Sequence, residues 1–394
     1  MIKINAPESV GMSSSRLNEI DVAMQSFIDE GKLAGISTLI ARRGKVVHLG
    51  CYGKLDLAAN KPVQADSLFR IASLTKPITC VATLMLCEEG HFKLDDPVSK
   101  WIPEFKNFKV FQDNTNVNSE LADLETEITF WHLLTHTSGL AYGWNREPQE
   151  QLEPIEDIYY NAKIIRPLGL QLPLPEMIQK IAELPLAAQP GATWRYSLAH
   201  DVLGYLIGLI SGKPFEAFLH ERIFKPLGMP DTGFYVPQDK LDRFGPFYRA
   251  TEENGLSVLD DLAASPYIRP DKVPSGGIGL ISSIVDYSRF MLMLANGGEL
   301  EGVRLLDHKT VQMMTTNQLP DELVPIFSWP GMGYGLGVGV LVTDAPQVGW
   351  IGISGTSAWF YPSEEMIVIA MPQVFLNWEA SDTLQKIARE AISI

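Results

Sequence analysis

The chain has 394 residues, enough for two or three structural units that share a sizeable core. Lysine and arginine number 32 against 47 aspartate and glutamate residues, so the net charge is -15 and no nucleic-acid partner is expected. Hydrophobic residues make up 46% and charged residues 20% of the sequence, a balance typical of soluble globular proteins and not of disordered chains or coiled coils.

The apolar runs, the N-terminal residues and the cysteines bear on the cellular location of the protein. No run approaches the roughly 20 apolar residues of a membrane-spanning helix, so no membrane contact is expected. Residues 1–7 lack the basic segment and apolar run of a secretory signal, which predicts a cytoplasmic protein. Cys51, Cys80 and Cys87 are too few and too scattered for a disulfide framework, so we expect buried free thiols.

The first part of the chain predicts a helix, a hairpin and a second helix. Residues 13–31 place apolar side chains at helical intervals, between capping serines and a closing glycine. Residues 35–41 and 45–50 favour β-structure and are separated by a short polar turn, which predicts a hairpin. Residues 74–89 are mostly apolar and carry a proline near their start, which predicts a buried helix beginning close to Ser73.

The rest of the chain predicts a helical middle and a second group of strands. Residues 107–184 are irregular and proline-rich, whereas residues 199–211 have helical periodicity. The later elements are expected as strands at 333–342, 357–361 and 366–371 and a helix at 378–394. Strands at both ends predict one discontinuous α/β sheet domain, residues 1–65 and 270–394, with a mostly helical domain with long loops, residues 66–269, inserted into it.

Ser73-Leu74-Thr75-Lys76 is the main candidate for chemistry. A separation of three residues places the hydroxyl and the amine on one face of a helix, one turn apart. A serine hydroxyl becomes an effective nucleophile only when a neighbouring base removes its proton, and a buried lysine is a suitable base. By itself this SxxK pattern is weak evidence, since a serine at a helix start commonly acts as a cap.

Several segments in a fixed order strengthen that assignment. They are residues 69–79 (FRIASLTKPIT), 94–98 (LDDPV), 128–140 (ITFWHLLTHTSGL), 190–197 (PGATWRYS), 275–280 (SGGIGL) and 349–356 (GWIGISGT). Together they resemble the serine β-lactamase and penicillin-binding-protein superfamily, and most closely class C β-lactamases and family VIII carboxylesterases. The resemblance covers nearly the whole chain. It implies an α/β (α+β) fold of the β-lactamase/transpeptidase type, an antiparallel sheet flanked by helices with an inserted helical domain.

The resemblance also implies roles for individual residues. Ser73 is expected to be the nucleophile, and Tyr196, which matches the tyrosine of the family's YxN motif, is expected to handle protons together with Lys76. Leu198 stands where the lactamases keep an amide. The backbone N–H groups of Ser73 and Ile353 are expected to form the oxyanion hole.

Substrate contacts are expected from the third motif and from the irregular middle. Trp350 and Gly352 belong to a WxG pattern where lactamases have KTG, so the cation that binds a substrate carboxylate is missing. Tyr142 and Trp144 are expected to line the acyl pocket. A neutral ester is therefore a more plausible substrate than an anionic one.

Other candidate sites have simpler explanations. His132 and His136 are four residues apart on a predicted helix, but Leu133 occupies the place of the glutamate in HExxH, so no metal is expected and both residues are assigned structural roles. Ser354 lies in a sequence close to GxSxG but in the wrong context for a nucleophile.

The leading hypothesis is a cofactor-independent serine hydrolase that cleaves small-molecule carboxylic esters through an acyl-enzyme on Ser73. One alternative is an acyltransferase that uses the same acyl-enzyme. Others are a β-lactamase or a D-amino-acid peptidase or amidase, which Trp350 and Leu198 disfavour, and an inactive homologue that only binds ligands. The oligomeric state is left open.

Overall fold

An antiparallel sheet of eight strands joins the two ends of the chain. The computed structural model describes residues 2–113, 116, 119–143, 153–166, 168–251, 255–343 and 345–393. The strands are β1 Gly35–Arg42, β2 Lys45–Asp56, β3 Lys61–Pro62, β4 Leu68–Arg70, β5 Lys109–Phe111, β6 Leu121–Asp123, β7 Ile165–Arg166, β8 Gly169–Leu170, β9 Phe247–Ala250, β10 Leu256–Asp260, β11 Ile281–Ser283, β12 Glu299–Leu300, β13 Val303–Arg304, β14 Met332–Tyr334, β15 Gly339–Leu341, β16 Gln347–Ile351, β17 Ser357–Tyr361 and β18 Met366–Pro372. The order in the main sheet is β14-β15-β16-β17-β18-β1-β2-β3.

Helices cover this sheet and fill the middle of the chain. They are α1 Ser14–Leu17, α2 Glu19–Asp29, α3 Thr75–Glu88, α4 Phe130–Leu134, α5 Pro154–Asn161, α6 Leu174–Ala182, α7 Ala199–Ser211, α8 Phe215–Leu219, α9 Lys225–Leu227, α10 Ile284–Ala295, α11 His308–Met314 and α12 Glu379–Glu390. α2 packs on β2, α12 packs on β18, and these two helices also pack on each other. α10 packs on β1, β17 and β18. The antiparallel sheet with flanking helices agrees with the sequence prediction.

β1 is the strand that holds the two halves of the sheet together. All eight of its residues are buried, and since successive side chains of a strand point to opposite faces, both faces of the sheet are covered there. Leu39 of β1 pairs with Ile369 of β18 on one side and with Leu49 of β2 on the other. Strands distant in sequence therefore share one hydrogen-bonded ladder.

Two predicted elements differ from the observed ones. The single strand predicted over 333–342 is wrong, because β14 and β15 form a hairpin whose turn contains Gly337 at φ +81°. A Cβ at Gly337 would lie 2.1 Å from Cys80 Sγ, so the turn packs directly on α3. The helix predicted over 13–31 is interrupted at Asn18, which separates α1 from α2.

The apolar core does not divide at the predicted domain boundaries. One buried cluster includes Leu39 of the sheet, Leu84 of α3 and Val202 of α7. The division into residues 1–65 with 270–394 and residues 66–269 therefore stays a prediction.

The three free cysteines differ in exposure. Cys80 on α3 is buried, Cys87 is half-buried and Cys51 on β2 is exposed, so the prediction of buried thiols is correct only for Cys80. The outer strand β3 pairs with β2 only near Lys54 and Asp56, which leaves the part of β2 that carries Cys51 without an outer neighbour.

Among the described residues, no single helix is both long and apolar enough to cross a membrane. α7 and the segment Phe215–Leu227 meet the length and composition requirement together, with a bend of 81° between them. The inner side chains of α7, including Leu203 and Leu206, are buried in the protein core.

His132 and His136 do not share a helix. α4 ends at Leu134 and His136 has φ +57°, so the predicted helical spacing of the two rings is wrong. Instead, His132 caps the N-terminus of α4, because its Nδ1 accepts the Thr129 N–H at 3.2 Å. His136 is fully buried, and its ring centroid lies 4.5 Å from that of His200.

The burial of His136 and His200 makes the free energy of unfolding depend on pH. Desolvation lowers the pKa of both His136 and His200 well below the usual histidine range. In the unfolded chain both rings take up protons near pH 6.5. In the folded chain they stay neutral to lower pH. The unfolded state therefore binds more protons as the pH falls below about 6.5, and the free energy of unfolding decreases.

We expect His200→Phe to make this decrease shallower. Both ring nitrogens of His200 lack a hydrogen-bond partner within the described residues, so phenylalanine removes the titrating group without breaking a bond. The slope of the free energy of unfolding between pH 6.5 and 5 should fall by about 1.4 kcal/mol per pH unit, measured by urea unfolding. Ile207→Val, a core substitution on the same helix that removes no titrating group, is the control and should leave the slope unchanged. An unchanged slope in His200→Phe would contradict this explanation.

Candidate active site

Ser73 lies in a tight turn that precedes α3. The turn, Ala72–Leu74, is a 3-10 helix, and Ala72 has φ +46°, a conformation that costs energy for a residue with a side chain. The loop after β16 holds this turn in place: Ser354 Oγ donates to Arg70 O at 2.6 Å and Thr356 Oγ1 donates to Ile71 O at 3.1 Å. Ser354 thus has a structural partner. The strained turn presents Ser73 at the junction of α3 and the sheet.

Lys76 contacts Ser73 from the first turn of α3. Its Nζ donates to Ser73 Oγ at 3.2 Å and to the backbone oxygen of Gly277 at 2.8 Å. The lysine side chain is fully buried. The hydroxyl and the amine are neighbours because residues three apart share a helix face, as the SxxK spacing predicts.

Two tyrosine rings enclose the amine of Lys76. Its Nζ lies 4.4 Å from the ring centroid of Tyr196 and 5.6 Å from that of Tyr142. The two rings are stacked, with centroids 5.6 Å apart and an angle of 2° between their planes. The negative faces of aromatic rings attract a cation, so this arrangement favours an amine at this position.

The Tyr196 hydroxyl meets the sheet through Trp350. Trp350 lies on β16, and its Nε1–H donates to the Tyr196 hydroxyl oxygen at 3.1 Å. The indole is almost completely buried. A residue expected to contact substrate therefore also contacts the expected proton carrier.

An apolar cleft of about 300 Å³ opens at Ser73. Most of its lining side chains are aromatic or aliphatic, and those described carry no formal charge at neutral pH: Ser73, Tyr196, Phe327, Trp329, Trp350, Ile351, Ile353, Leu376 and Trp378. Sequence reasoning missed Phe327, Trp329, Leu376 and Trp378. They come from two loops without periodic patterning, and only the general enrichment of aromatic residues at ligand sites could have suggested them.

The backbone N–H groups of Gly352 and Ile353, after β16, differ in their partners. Gly352 N–H donates to Thr356 O at 2.7 Å and is therefore occupied, whereas Ile353 N–H has no acceptor within the described part of the chain. Ile353 also lines the cleft beside Ser73. A Cβ at Gly352 would lie 2.6 Å from Ile71 O, so glycine is required for the strand end to approach the Ser73 turn.

The structure brings most of the expected site residues together. Ser73, Tyr196, Trp350 and Ile353 line one cleft, and Lys76 lies directly behind Ser73 and Tyr196. Tyr142 is buried beside Tyr196 and is not among the described residues that line the cleft, so its contact with substrate stays a prediction. Trp144 lies outside the described residues.

The described residues contain no group of three or more histidine, cysteine, aspartate or glutamate side chains suited to hold a metal ion. Near Ser73 the polar groups are hydroxyls, an amine and backbone amides. Such groups are suited to covalent acyl chemistry on the serine.

Comparison with known proteins gives the family. The family model described as Beta-lactamase matches residues 20–391. An uncharacterized protein of Mycobacterium tuberculosis is 34% identical over 368 residues, which cover 89% of this chain and 88% of that protein. Esterase EstB of Burkholderia gladioli is 30% identical over 374 residues, or 88% of each chain.

A solved structure agrees with these sequence matches. EstCE1, described as a hydrolase with promiscuous acyltransferase activity, superposes with a TM-score of 0.81 and 26% identity, covering 96% of this chain and 99% of its own. The antiparallel sheet and the flanking helices agree with this structural match, and the chain belongs to the β-lactamase family.

Proposed function

We propose that this protein is a carboxylesterase that forms an acyl-enzyme on Ser73. The observation that carries the proposal is the 3.2 Å hydrogen bond between Lys76 Nζ and Ser73 Oγ at the floor of an uncharged, apolar cleft. A hydroxyl next to a buried amine is placed for deprotonation, and the cleft beside it can hold an ester. The names of Esterase EstB and of EstCE1, a hydrolase, support the same activity.

In the first half of the proposed reaction, Ser73 Oγ adds to the ester carbonyl carbon while its proton passes to the amine of Lys76. The N–H groups of Ser73 and Ile353 stabilise the negative oxygen of the tetrahedral intermediate, with each such donor contributing about 10²–10³ in rate. The Tyr196 hydroxyl donates a proton to the departing alkoxide and is reprotonated from Lys76. The C–O bond to the alcohol breaks, and the acyl group remains on Ser73.

In the second half, water replaces the alcohol and the same groups act in reverse. Tyr196 passes its hydroxyl proton to Lys76 and takes a proton from the water that attacks the acyl carbonyl carbon. Lys76 then returns a proton to Ser73 Oγ as the C–O bond to Ser73 breaks and the acid leaves. Trp350 holds the Tyr196 oxygen by the 3.1 Å hydrogen bond. This contact keeps the Tyr196 oxygen in one position for the proton transfers of both half-reactions.

The lining of the cleft favours a neutral ester substrate. Trp350 stands where the resemblance places a lysine in lactamases and peptidases, so a carboxylate of the substrate would lose a charge-assisted bond of roughly 1.5–3 kcal/mol. The net charge of -15 also disfavours anions. These two features make β-lactam and D-peptide substrates less suitable than uncharged esters.

Acyl transfer to an alcohol is the second candidate function. Acyl transfer needs the same acyl-enzyme. An apolar cleft promotes this reaction because it favours an organic alcohol over water as the acceptor. EstCE1 is described as having promiscuous acyltransferase activity, which supports the possibility. Hydrolysis in the presence of a competing alcohol separates the two functions, because a transferase yields the new ester as its main product.

We also propose a cytoplasmic location for this protein. All three cysteines are free, which suits the reducing environment of the cytoplasm. A small ester that diffuses into the cleft is the proposed partner.

Ser73→Ala should abolish ester hydrolysis. Without the hydroxyl no acyl-enzyme forms, so the turnover of p-nitrophenyl acetate should fall by about 10³ or more while the circular dichroism spectrum stays unchanged. Ser257→Ala, at an exposed serine on β10, is the matched control and should keep the wild-type rate. Wild-type turnover in Ser73→Ala would overturn the proposal.

Trp350→Phe should slow the reaction without closing the cleft. The substitution keeps an aromatic ring but removes the N–H that contacts Tyr196, and one neutral hydrogen bond is equivalent to about 3- to 10-fold in kcat. Stopped-flow and steady-state kinetics on p-nitrophenyl acetate measure this change. Trp101→Phe, at a tryptophan that packs on Phe92 and Phe130, is the control. An unchanged kcat in Trp350→Phe would exclude a role for the indole N–H.

A further inference from the structure

The carbonyl that holds Lys76 belongs to a glycine-rich segment that is fixed on several sides. Gly277 O accepts from Lys76 Nζ at 2.8 Å. On the two sides of this carbonyl, Thr79 Oγ1 donates to Gly276 O at 2.8 Å and Tyr267 OH donates to Ile278 O at 3.2 Å. The position of the Gly277 peptide therefore decides where the amine of Lys76 lies.

The N–H of the same residue, Gly277, contacts Asp201. Asp201 lies in the first turn of α7 and is fully buried. Its Oδ1 accepts from the Gly277 N–H at 3.2 Å and from Ser275 Oγ at 2.5 Å. A Cβ at Gly277 would lie 2.8 Å from Asp201 Oδ2, so only glycine allows this close approach. A continuous chain of hydrogen bonds thus runs from Asp201 through Gly277 and Lys76 to Ser73.

Asp201 is also the buried carboxylate that faces Lys76. Desolvation raises the pKa of the Asp201 carboxyl, and the Ser275 hydroxyl, Lys76, the Gly277 N–H and Lys272 oppose that rise. Lys272 donates to Gly279 O at 3.1 Å, on the far side of the same segment. A buried charge is strongly unfavourable unless it is compensated, and Lys76 is one of the groups that stabilise the Asp201 carboxylate.

Leu198 limits the number of groups that hydrogen-bond to the Lys76 amine. It lies one helical turn before Asp201, at the position where the resemblance places an amide, and a leucine side chain cannot hydrogen-bond to the amine of Lys76. Among the residues that the structure describes, Lys76 Nζ donates to the Ser73 hydroxyl and to the Gly277 carbonyl, and the Tyr196 and Tyr142 rings lie beside it. Of these, Gly277 is the one whose position Asp201 controls.

We infer that Asp201 is the positioning residue for Lys76. It fixes the backbone at Gly277, so that the carbonyl of this residue holds the amine against the Ser73 hydroxyl. This inference rests on the proposed esterase function. It assigns Asp201 no contact with substrate.

The test compares Asp201→Asn and Asp201→Ala with the wild type on p-nitrophenyl acetate. Asparagine keeps one acceptor oxygen but loses the charge, and kcat should fall about 10-fold; alanine loses both, and kcat should fall about 100-fold or more. KM should stay within about twofold in both, because the substrate does not touch Asp201. The melting temperatures of both variants are measured in parallel, so that a loss of kcat in a stable protein is distinguished from unfolding.

Asp286→Asn is the matched control, since Asp286 is another buried carboxylate and contacts Thr232 and Asp231 away from Lys76. It should keep the wild-type kcat, whatever its thermal stability. Wild-type kcat in a folded Asp201→Asn and Asp201→Ala overturns the inference. A loss of kcat that only parallels lost thermal stability, or that comes with an equal change in KM, also overturns it. If the wild type hydrolyses no ester, the proposed function fails first, and the two failures are thereby distinguished.

Discussion

The amine of Lys76 is removed from water, and the surrounding site is organised by this one constraint. A buried amine needs acceptors for its N–H groups, and Ser73 and Gly277 supply two of them. The rings of Tyr196 and Tyr142 fill the remaining space around it. In the proposed reaction, the contacts that make burial of the lysine tolerable are also the contacts that direct it at the Ser73 hydroxyl.

The sheet completes the site from the opposite side. β16 ends at the turn that carries Ser73, and the hydroxyls of Ser354 and Thr356 bind the carbonyls of Arg70 and Ile71. Gly352 is needed there because a side chain would collide with Ile71 O. This contact joins segments that are distant in sequence. It places Trp350 and Ile353 at the cleft with a precision that a flexible loop could not provide.

The parts of the site that follow from local geometry were predictable. A hydroxyl and an amine three residues apart must be neighbours on a helix, and α7 and β17 have the bounds that their periodicity predicts. The family motifs indicated Tyr196 and Trp350. The substrate contacts predicted for Tyr142 and Trp144 do not follow from local geometry, because both residues lie in the irregular middle of the chain.

The remaining features depend on contacts between distant segments. Phe327 and Trp378 reach the cleft from loops that have no periodic pattern, and the hairpin turn at Gly337 exists because the chain packs on Cys80. His136 leaves the helix that its spacing suggested because its ring is buried against His200. Local sequence patterns do not contain such tertiary contacts.

The proposal that Ser73 carries the acyl group is tested most directly by rapid quenching of the reaction with p-nitrophenyl acetate, followed by mass spectrometry of the intact protein and of its peptides. The account predicts one acetyl group per chain, located on the peptide that contains Ser73 and absent from Ser73→Ala. Ester hydrolysis with no acylated protein under single-turnover conditions, or acylation at another residue, would contradict it.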